Sequence, residues 1–154
     1  MPRPVRRKDR EIGADEARNL FARCTYGVLA SVDKDGRPYA IPLHYAFADQ
    51  CLYFHCATEG RKLDNIRANP AVSFCVVGET TVLPGKFSTE YESAVAFGTA
   101  TEIVAGEKQE ALLKILEKYS PGFIAEGVKY IAGKNDQTVV VRIDISHLTG
   151  KARR

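Results

Sequence analysis

The sequence lacks the patterns of a metal centre, a dinucleotide site and a membrane span. Its four cysteines form no C-x-x-C pair and have no zinc-type spacing. No G-x-G-x-x-G occurs, which argues against a Rossmann-type sheet. No apolar run reaches the roughly 18 residues of a membrane helix, and no apolar segment typical of a secretory signal follows the N-terminus. We therefore expect a cytoplasmic protein without metal or membrane, in which the cysteines are reduced and mostly buried.

The body of the chain also has little positive charge. The formal net charge is +3, from 22 basic and 19 acidic residues. Eight of the cations lie at the two ends: Arg3, Arg6, Arg7, Lys8, Arg10, Lys151, Arg153 and Arg154. Without these and Asp9, 14 basic and 18 acidic residues remain. A mildly acidic body does not offer the basic surface of a nucleic-acid-binding protein, so we expect no such partner.

What the chain does contain is a series of short β-prone segments separated by turn signals. At 154 residues it is predicted to form one domain over residues 13–150, with a basic arm at 1–12 and a tail at 151–154. The predicted strands lie at about 26–32, 37–47, 51–56, 71–77, 92–104 and 138–145, and the helices at about 15–24, 60–69, 106–119 and 123–132. Residues 78–92 are expected to form a long functional or interface loop. Six strands, some joined by short hairpins, predict a mainly β protein with peripheral helices and a small antiparallel barrel.

The most informative segment is residues 53–66, which reads as a strand, a polar turn and a helix that begins with two cations. Thr58 is a plausible helix cap, and Gly60 lets the chain turn. Arg61 and Lys62 then fall in the first helical turn, where the positive end of the helix dipole disfavours cations. A phosphate would relieve this conflict, since backbone N–H groups and two cations would surround it. The alternative is a solvated helix start.

Several segments, in order, resemble the pyridoxamine 5′-phosphate oxidase-like FMN-binding split barrels. They are RRKDREI at 6–12, YGVLAS at 26–31, DGRPYAIPLHY at 35–45, LYFH at 52–55, GRKL at 60–63 and YESAVAFGTA at 91–100. The chain is most similar to the nitroimidazole-resistance branch of that family. The resemblance implies a six-stranded antiparallel split β-barrel that forms a homodimer, with two FMN molecules at the subunit interface.

The resemblance also implies which residues contact FMN. They are Ile41, Pro42, Leu43, His55, Thr58, Glu59, Arg61, Lys62, Tyr91 and Ser93. Arg61 and Lys62 would bind the phosphate, and the backbone of residues 41–43 would run beside the isoalloxazine. Thr58 and Glu59 would lie near the phosphate or the ribityl chain. Tyr91 and Ser93 would approach from the partner subunit.

His55 is the candidate catalytic residue, because the resemblance places it near the flavin and the substrate pocket. Its ordinary pKa near ~6.5 would let it donate a proton or a hydrogen bond. The alternative is a histidine at a strand end that orients the cofactor without chemistry. His44 is expected to line or support the cleft, and His147 to be structural.

The predicted function is an FMN-dependent oxidoreductase that passes electrons from a donor such as a reduced nicotinamide to a small acceptor. The resemblance suggests a nitroimidazole or another nitroaromatic as this acceptor. The C-terminal end lacks the arginine- and histidine-rich signature of the pyridoxamine-phosphate oxidases proper, so vitamin B6 oxidation is not expected. Two alternatives stay open: a non-catalytic flavin-binding module, and a haem-binding barrel that would use the three histidines of the chain.

Overall fold

The computed structural model describes residues 3–154, which form seven strands and four α-helices. The strands are β1 (Gly27–Val32), β2 (Pro38–Leu43), β3 (Ala46–Ala48), β4 (Cys51–Cys56), β5 (Ala71–Leu83), β6 (Ser88–Ile103) and β7 (Val139–Arg153). The helices are α1 (Ala14–Arg23), α2 (Arg61–Ala68), α3 (Ala105–Tyr119) and α4 (Ile124–Lys134). The prediction of a mainly β protein with peripheral helices is therefore confirmed.

The strands form one antiparallel sheet in the order β2-β1-β5-β6-β7-β4-β3. We expected residues 37–47 to form one strand, interrupted at Pro42 by an edge, a bulge or a bend. β2 does lie at an edge of the sheet, and the chain leaves the sheet at His44 and Tyr45. As a result β2 and β3 lie at opposite edges, although only two residues separate them in sequence. The extra strand explains why the sheet has seven strands where six were predicted. His44 and Tyr45 connect the two edge strands.

The interior of the sheet is packed with aliphatic and aromatic side chains, and α1 contributes to it. Leu29 of β1, Phe54 of β4 and Phe74 of β5 are fully buried together with Phe21 of α1. Tyr45 is buried beside them, and its hydroxyl donates a hydrogen bond of 2.6 Å to the Phe21 carbonyl oxygen. Because this buried phenol has a partner, it adds no unsatisfied polar atom to the core.

Two glycines, Gly36 and Gly98, occupy positions where the backbone requires glycine. Gly36 has a φ of 81° in the β1–β2 hairpin, where the Asp33 side chain accepts hydrogen bonds from the backbone N–H groups of Asp35 and Arg37. Gly98 lies at a register shift between β6 and β7. A Cβ there would stand 2.2 Å from the Asp144 carbonyl oxygen, so the close approach of the two strands requires glycine.

Residues 78–92 do not form the predicted loop. β5 continues to Leu83 and pairs with β6, which begins at Ser88, and a short turn at Pro84–Lys86 joins them. The apolar side chains of Val82 and Phe87 on this hairpin are 66% and 97% exposed. The Gly and Pro residues that suggested a loop therefore mark only the hairpin turn and a register shift after Val77.

The two ends of the chain are more ordered than the sequence suggested. We expected the last strand to end near Ile145, but β7 runs to Arg153 and includes most of the predicted tail at 151–154. Arg154 donates a hydrogen bond of 3.0 Å to Glu92 and also pairs with Glu16. In the predicted arm, the Ile12 backbone N–H donates to the Gly150 carbonyl oxygen at 3.1 Å. Met1 and Pro2 lie outside the described residues.

Two further expectations concern cysteines and membranes. All four cysteines are free, but only Cys24 is buried, so the expectation of mostly buried thiols was wrong. Cys51, Cys56 and Cys75 are half-buried, and Cys51 and Cys56 pack at the borders of the two core clusters. Within residues 3–154, no helix combines the length and the apolar character that crossing a membrane requires.

Candidate functional site

The candidate site is built around the end of β4 and the beginning of α2. Successive side chains of a strand point to opposite faces. Leu52 and Phe54 are therefore buried in the interior, whereas Tyr53 lies in a second apolar cluster with residues of α3 and β7. His55 follows the outward direction of Tyr53 and is exposed at the surface that α3 and α4 border. One strand thus supplies both the core and the site.

The first turn of α2 offers backbone N–H groups and is fixed firmly on the sheet. Gly60 has a φ of 139°, and its carbonyl oxygen accepts hydrogen bonds from Leu63 at 3.0 Å and Asp64 at 3.1 Å. The first N–H groups of a helix have no partner within it and point away from its start. Behind them, the buried Asn65 side chain donates a 3.0 Å hydrogen bond to the Ser31 hydroxyl of β1. This bond holds α2 against the barrel.

The prediction that Thr58 caps this helix was wrong. Gly60 occupies the cap position, and no side chain caps the first turn. Thr58 and Glu59 are exposed in the preceding turn. A φ of 139° is accessible to glycine and strained for other residues, so Gly60 rather than Thr58 determines where α2 begins.

The two cations in the first turn of α2 form no ion pair with a described carboxylate. Across residues 3–154, neither Arg61 nor Lys62 forms an ion pair, whereas Arg67 on the same helix pairs with Glu102 at 2.6 Å. The Arg61 guanidinium carbon lies 5.4 Å from the centre of the Tyr39 ring on β2. Unpaired cations at the positive end of a helix fit an anion such as a phosphate.

Strand β2 provides an open backbone edge near these cations. It lies at one end of the strand order and pairs only with β1 among the described strands. The side chains of Ile41 and Leu43 pack against the interior, and Pro42 between them is exposed. The unpaired edge of residues 41–43 can therefore face a flat ligand, as the resemblance implied.

A cavity of about 220 Å³ lies next to His55. Its walls come from β4, α3, α4 and the connection between β2 and β3: His44, His55, Leu112, Ile115, Leu116, Tyr119, Ser120, Gly127, Tyr130, Ile131, Lys134 and Thr138. We call it the α3–α4 pocket. The sequence predicted His44 and His55 here, but it did not predict the contribution of the two helices.

His44 is held in this pocket by the end of α3. Its ring stacks on the Tyr119 ring, with 4.3 Å between the centres and an angle of 14°. The Tyr119 hydroxyl accepts a hydrogen bond of 2.9 Å from the Tyr45 backbone N–H, and it donates one of 2.6 Å to the Thr25 carbonyl oxygen. Lys118 donates to the Cys24 carbonyl oxygen at 2.8 Å. The end of α3 therefore fixes the two residues at which β2 and β3 separate.

The environment of His55 favours a neutral imidazole. Although part of the residue is exposed to solvent, the atoms packed around its ring desolvate it and lower its pKa below the ordinary value of 6.5. The nearby His44 and Lys62 lower the pKa further. A neutral ring has one N–H donor and one nitrogen acceptor. His55 can therefore hold a hydrogen bond to a ligand on either nitrogen at neutral pH.

The single chain does not bring all ten predicted site residues together. His55 and Lys62 are close enough to influence each other's charge, and Arg61 lies on Tyr39. Tyr91 and Ser93 lie on β6 and line two other surface concavities, beside Arg153 and Lys151 respectively. Their approach to a flavin in the partner subunit stays a prediction.

Comparison with known proteins identifies the family. The family profile described as pyridoxamine 5′-phosphate oxidase matches residues 13–152. The chain belongs to this family. The predicted resemblance is thereby confirmed at the family level, although no curated protein is a significant match to the sequence.

Solved structures support the split-barrel fold of the family. A conserved hypothetical protein from Mycobacterium tuberculosis is 20% identical, with 98% of this chain and 91% of that chain covered and a TM-score of 0.83. A candidate 5-nitroimidazole antibiotic resistance protein from Bacteroides thetaiotaomicron is 20% identical, with 92% and 85% covered and a TM-score of 0.74. An FAD- and haem-binding protein from Mycobacterium smegmatis is 20% identical, with 92% and 72% covered and a TM-score of 0.77. These likenesses show the fold.

Proposed function

We propose that this member of the pyridoxamine 5′-phosphate oxidase family binds FMN and acts as an oxidoreductase. The observation that carries the proposal is the beginning of α2. Arg61 and Lys62 lie there without a carboxylate partner among residues 3–154, beside N–H groups that the helix leaves free. A phosphate monoester satisfies both the cations and the N–H groups through charge-assisted hydrogen bonds.

The remaining contacts follow from the same geometry. Residues 41–43 offer the isoalloxazine an open backbone edge, and Thr58 and Glu59 lie in the turn before the phosphate site. When bound, FMN supplies transfer of hydride or electrons between a reduced nicotinamide and a small acceptor. The chain holds the cofactor, and the neutral His55 ring donates an N–H hydrogen bond to the acceptor.

We also propose that the protein is a homodimer in which Tyr91 and Ser93 complete the partner's flavin site. The β5–β6 hairpin supports this proposal, because Val77, Val82 and Phe87 expose apolar side chains along it. Exposed apolar surface of this kind is typical of interaction sites. Sedimentation velocity tests the proposal, and a monomer that still binds FMN would contradict it.

A nitroaromatic such as a 5-nitroimidazole is the proposed acceptor. This proposal is supported by the fold shared with the candidate 5-nitroimidazole resistance protein from Bacteroides thetaiotaomicron. The unpaired cations at the beginning of α2 fit a flavin phosphate, so we favour flavin over haem. Haem titration without a Soret shift is the result expected.

The first experiment measures the visible spectrum of the purified protein before and after FMN is added. We expect flavin bands with vibrational structure, then bleaching by NADH or NADPH without oxygen, and recovery when a nitroimidazole is added. Recovery should be slower in His55→Ala, with FMN still bound. A protein that binds FMN without reoxidation by any acceptor would be a non-catalytic flavin module. A protein that refuses FMN would contradict the proposal.

A further inference from the structure

The α3–α4 pocket differs in character from the turn that begins α2. Of the ten residues predicted to contact FMN, only His55 lines this pocket. The cations Arg61 and Lys62 and the edge strand at 41–43 lie outside its walls. The pocket therefore adjoins the proposed flavin site and shares the His55 side chain with it.

Most of the pocket is an apolar slot between two helices. From α3, Leu112, Ile115 and Leu116 contribute aliphatic groups, and from α4 Ile131 does the same. Gly127 of α4 lets the helices approach, since a Cβ there would stand 2.3 Å from a methyl carbon of Leu116. Tyrosine rings from both helices complete the slot. Such walls favour the flat face of an aromatic ring.

One end of the slot is polar and positive. His55 pairs with Val140 on β7, so it lies close to Thr138, which directly precedes that strand. Lys134 also lines the pocket, and its carbonyl oxygen accepts a hydrogen bond of 2.9 Å from the Thr138 hydroxyl, which places its backbone at the same end. Among residues 3–154, no aspartate or glutamate lines the pocket. The lining therefore includes one lysine and two histidines, without a carboxylate that would compete for them.

The volume limits the size of the ligand. About 220 Å³ is larger than a cavity of roughly 150 Å³ that binds benzene, and it is below the roughly 300–1,000 Å³ of sites for drug-sized molecules. One six-membered ring with a small substituent fits these limits.

We propose that the α3–α4 pocket binds a monocyclic aromatic carboxylate, with the ring between the two helices and the carboxylate at the end formed by His55 and Lys134. This site is additional to the proposed flavin site and does not require that flavin be bound. Its carboxylate receives a charge-assisted hydrogen bond from Lys134, which is stronger than a bond between neutral groups.

The test is calorimetric titration of the full-length protein with benzoate, without flavin. Benzamide has the same shape and no charge, so it serves as the matched ligand. We expect benzoate to bind at least about tenfold more tightly than benzamide. No benzoate binding at millimolar concentration would overturn the proposal, and so would equal affinity for the two ligands.

Two pairs of variants locate the binding. Ile131→Phe fills the slot and is expected to weaken benzoate binding at least about tenfold, whereas Val128→Phe on the exposed side of α4 should leave it unchanged. Lys134→Met should reduce benzoate affinity to that of benzamide, and Lys129→Met, outside the pocket, should not. Wild-type benzoate affinity in both Ile131→Phe and Lys134→Met would overturn the proposal.

FMN titration of the same variants separates this inference from the proposed function. We expect Ile131→Phe and Lys134→Met to bind FMN as the wild type does. Loss of FMN binding in Ile131→Phe, with the melting temperature retained, would make the pocket part of the flavin site and would overturn the inference. Benzoate binding in a protein that refuses FMN would support the inference while contradicting the proposed function.

Discussion

Strand β4 is six residues long, and its two faces have different surroundings. Leu52 and Phe54 have apolar side chains that point into the interior of the sheet. Both are essentially inaccessible to solvent. Tyr53 and His55 point to the opposite face, where α3 and α4 leave a pocket. Tyr53 is still buried there, whereas His55 is exposed.

The two faces of β4 therefore affect different properties: the inward face affects stability and the outward face affects ligand binding. The inward face is filled by close-packed apolar groups, so its residues act mainly on the free energy of unfolding. The outward face has room beside it and unpaired positive charge after it, so its residues act mainly on ligands. Substitutions at neighbouring positions of β4 should therefore differ in their effects on the free energy of unfolding and on ligand binding.

Phe54→Ala should have the largest effect on stability. Removing a fully buried aromatic side chain leaves a cavity, and we expect a loss of about 3–5 kcal/mol in the free energy of unfolding. Urea unfolding followed by circular dichroism measures it. His55→Ala is the matched change one residue later, and it should lie within about 0.5 kcal/mol of the wild type because its side chain is exposed. Similar losses at the two positions would contradict the comparison.

Arg61→Ala combined with Lys62→Ala should weaken FMN binding by about 100-fold or more, since two charge-assisted contacts are removed. The free energy of unfolding should change little, because neither cation forms an ion pair with another described residue. Quenching of FMN fluorescence measures the affinity. Lys114→Ala combined with Lys129→Ala removes the same charge from helices α3 and α4, at positions that line no part of the candidate site. An equal loss in this control would assign the effect to net charge alone.

Tyr119→Phe tests how the pocket is held to the barrel. The change removes the hydroxyl that accepts from the Tyr45 N–H and donates to the Thr25 carbonyl oxygen, and we expect a loss of about 1–3 kcal/mol in the free energy of unfolding. The His44 ring can still stack on phenylalanine. Thermal and urea unfolding both report the change, and an unaltered midpoint would show that these hydrogen bonds are replaced by water.

The smallest expected effect is the change of stability with pH that follows from protonation of His55. Its pKa is lowered in the folded protein, by burial first and then by His44 and Lys62. The unfolded chain therefore binds the proton more readily, so stability is complete above about pH 6.5 and decreases as the pH falls toward the folded pKa. His55→Gln should reduce this slope. A histidine ring titration followed by NMR gives the pKa directly, and a value above 6.5 would reverse the predicted sign.

The sequence was sufficient for the family, the barrel and the helix that begins at Arg61, because these depend on local signals. Strand alternation, the Asp33–Gly36 turn and the Gly60-Arg61-Lys62 order all act over a few residues. The break at His44 and Tyr45 was not predictable in this way. At this break the Tyr45 backbone N–H donates a hydrogen bond to the hydroxyl of Tyr119, 74 residues away. No residue near position 44 encodes that hydrogen bond.

The pocket and the extent of the last strand were missed for a related reason. The slot exists because α4 packs on α3 through Gly127 and Leu116, and a glycine within a short amphipathic helix reads locally as a weakness. β7 continues to Arg153 because β6 is long enough to pair with it up to Tyr91. The chain-end charges suggested a tail, whereas pairing between distant strands determined the structure.

The most direct test of the account compares FMN with riboflavin, which has the same ring and ribityl chain but no phosphate. If the beginning of α2 holds the phosphate, FMN should bind the wild-type protein about 100-fold or more tightly than riboflavin. The two ligands should bind Arg61→Ala/Lys62→Ala with nearly equal affinity. Equal affinities for FMN and riboflavin in the wild-type protein would show that Arg61 and Lys62 do not bind the flavin phosphate.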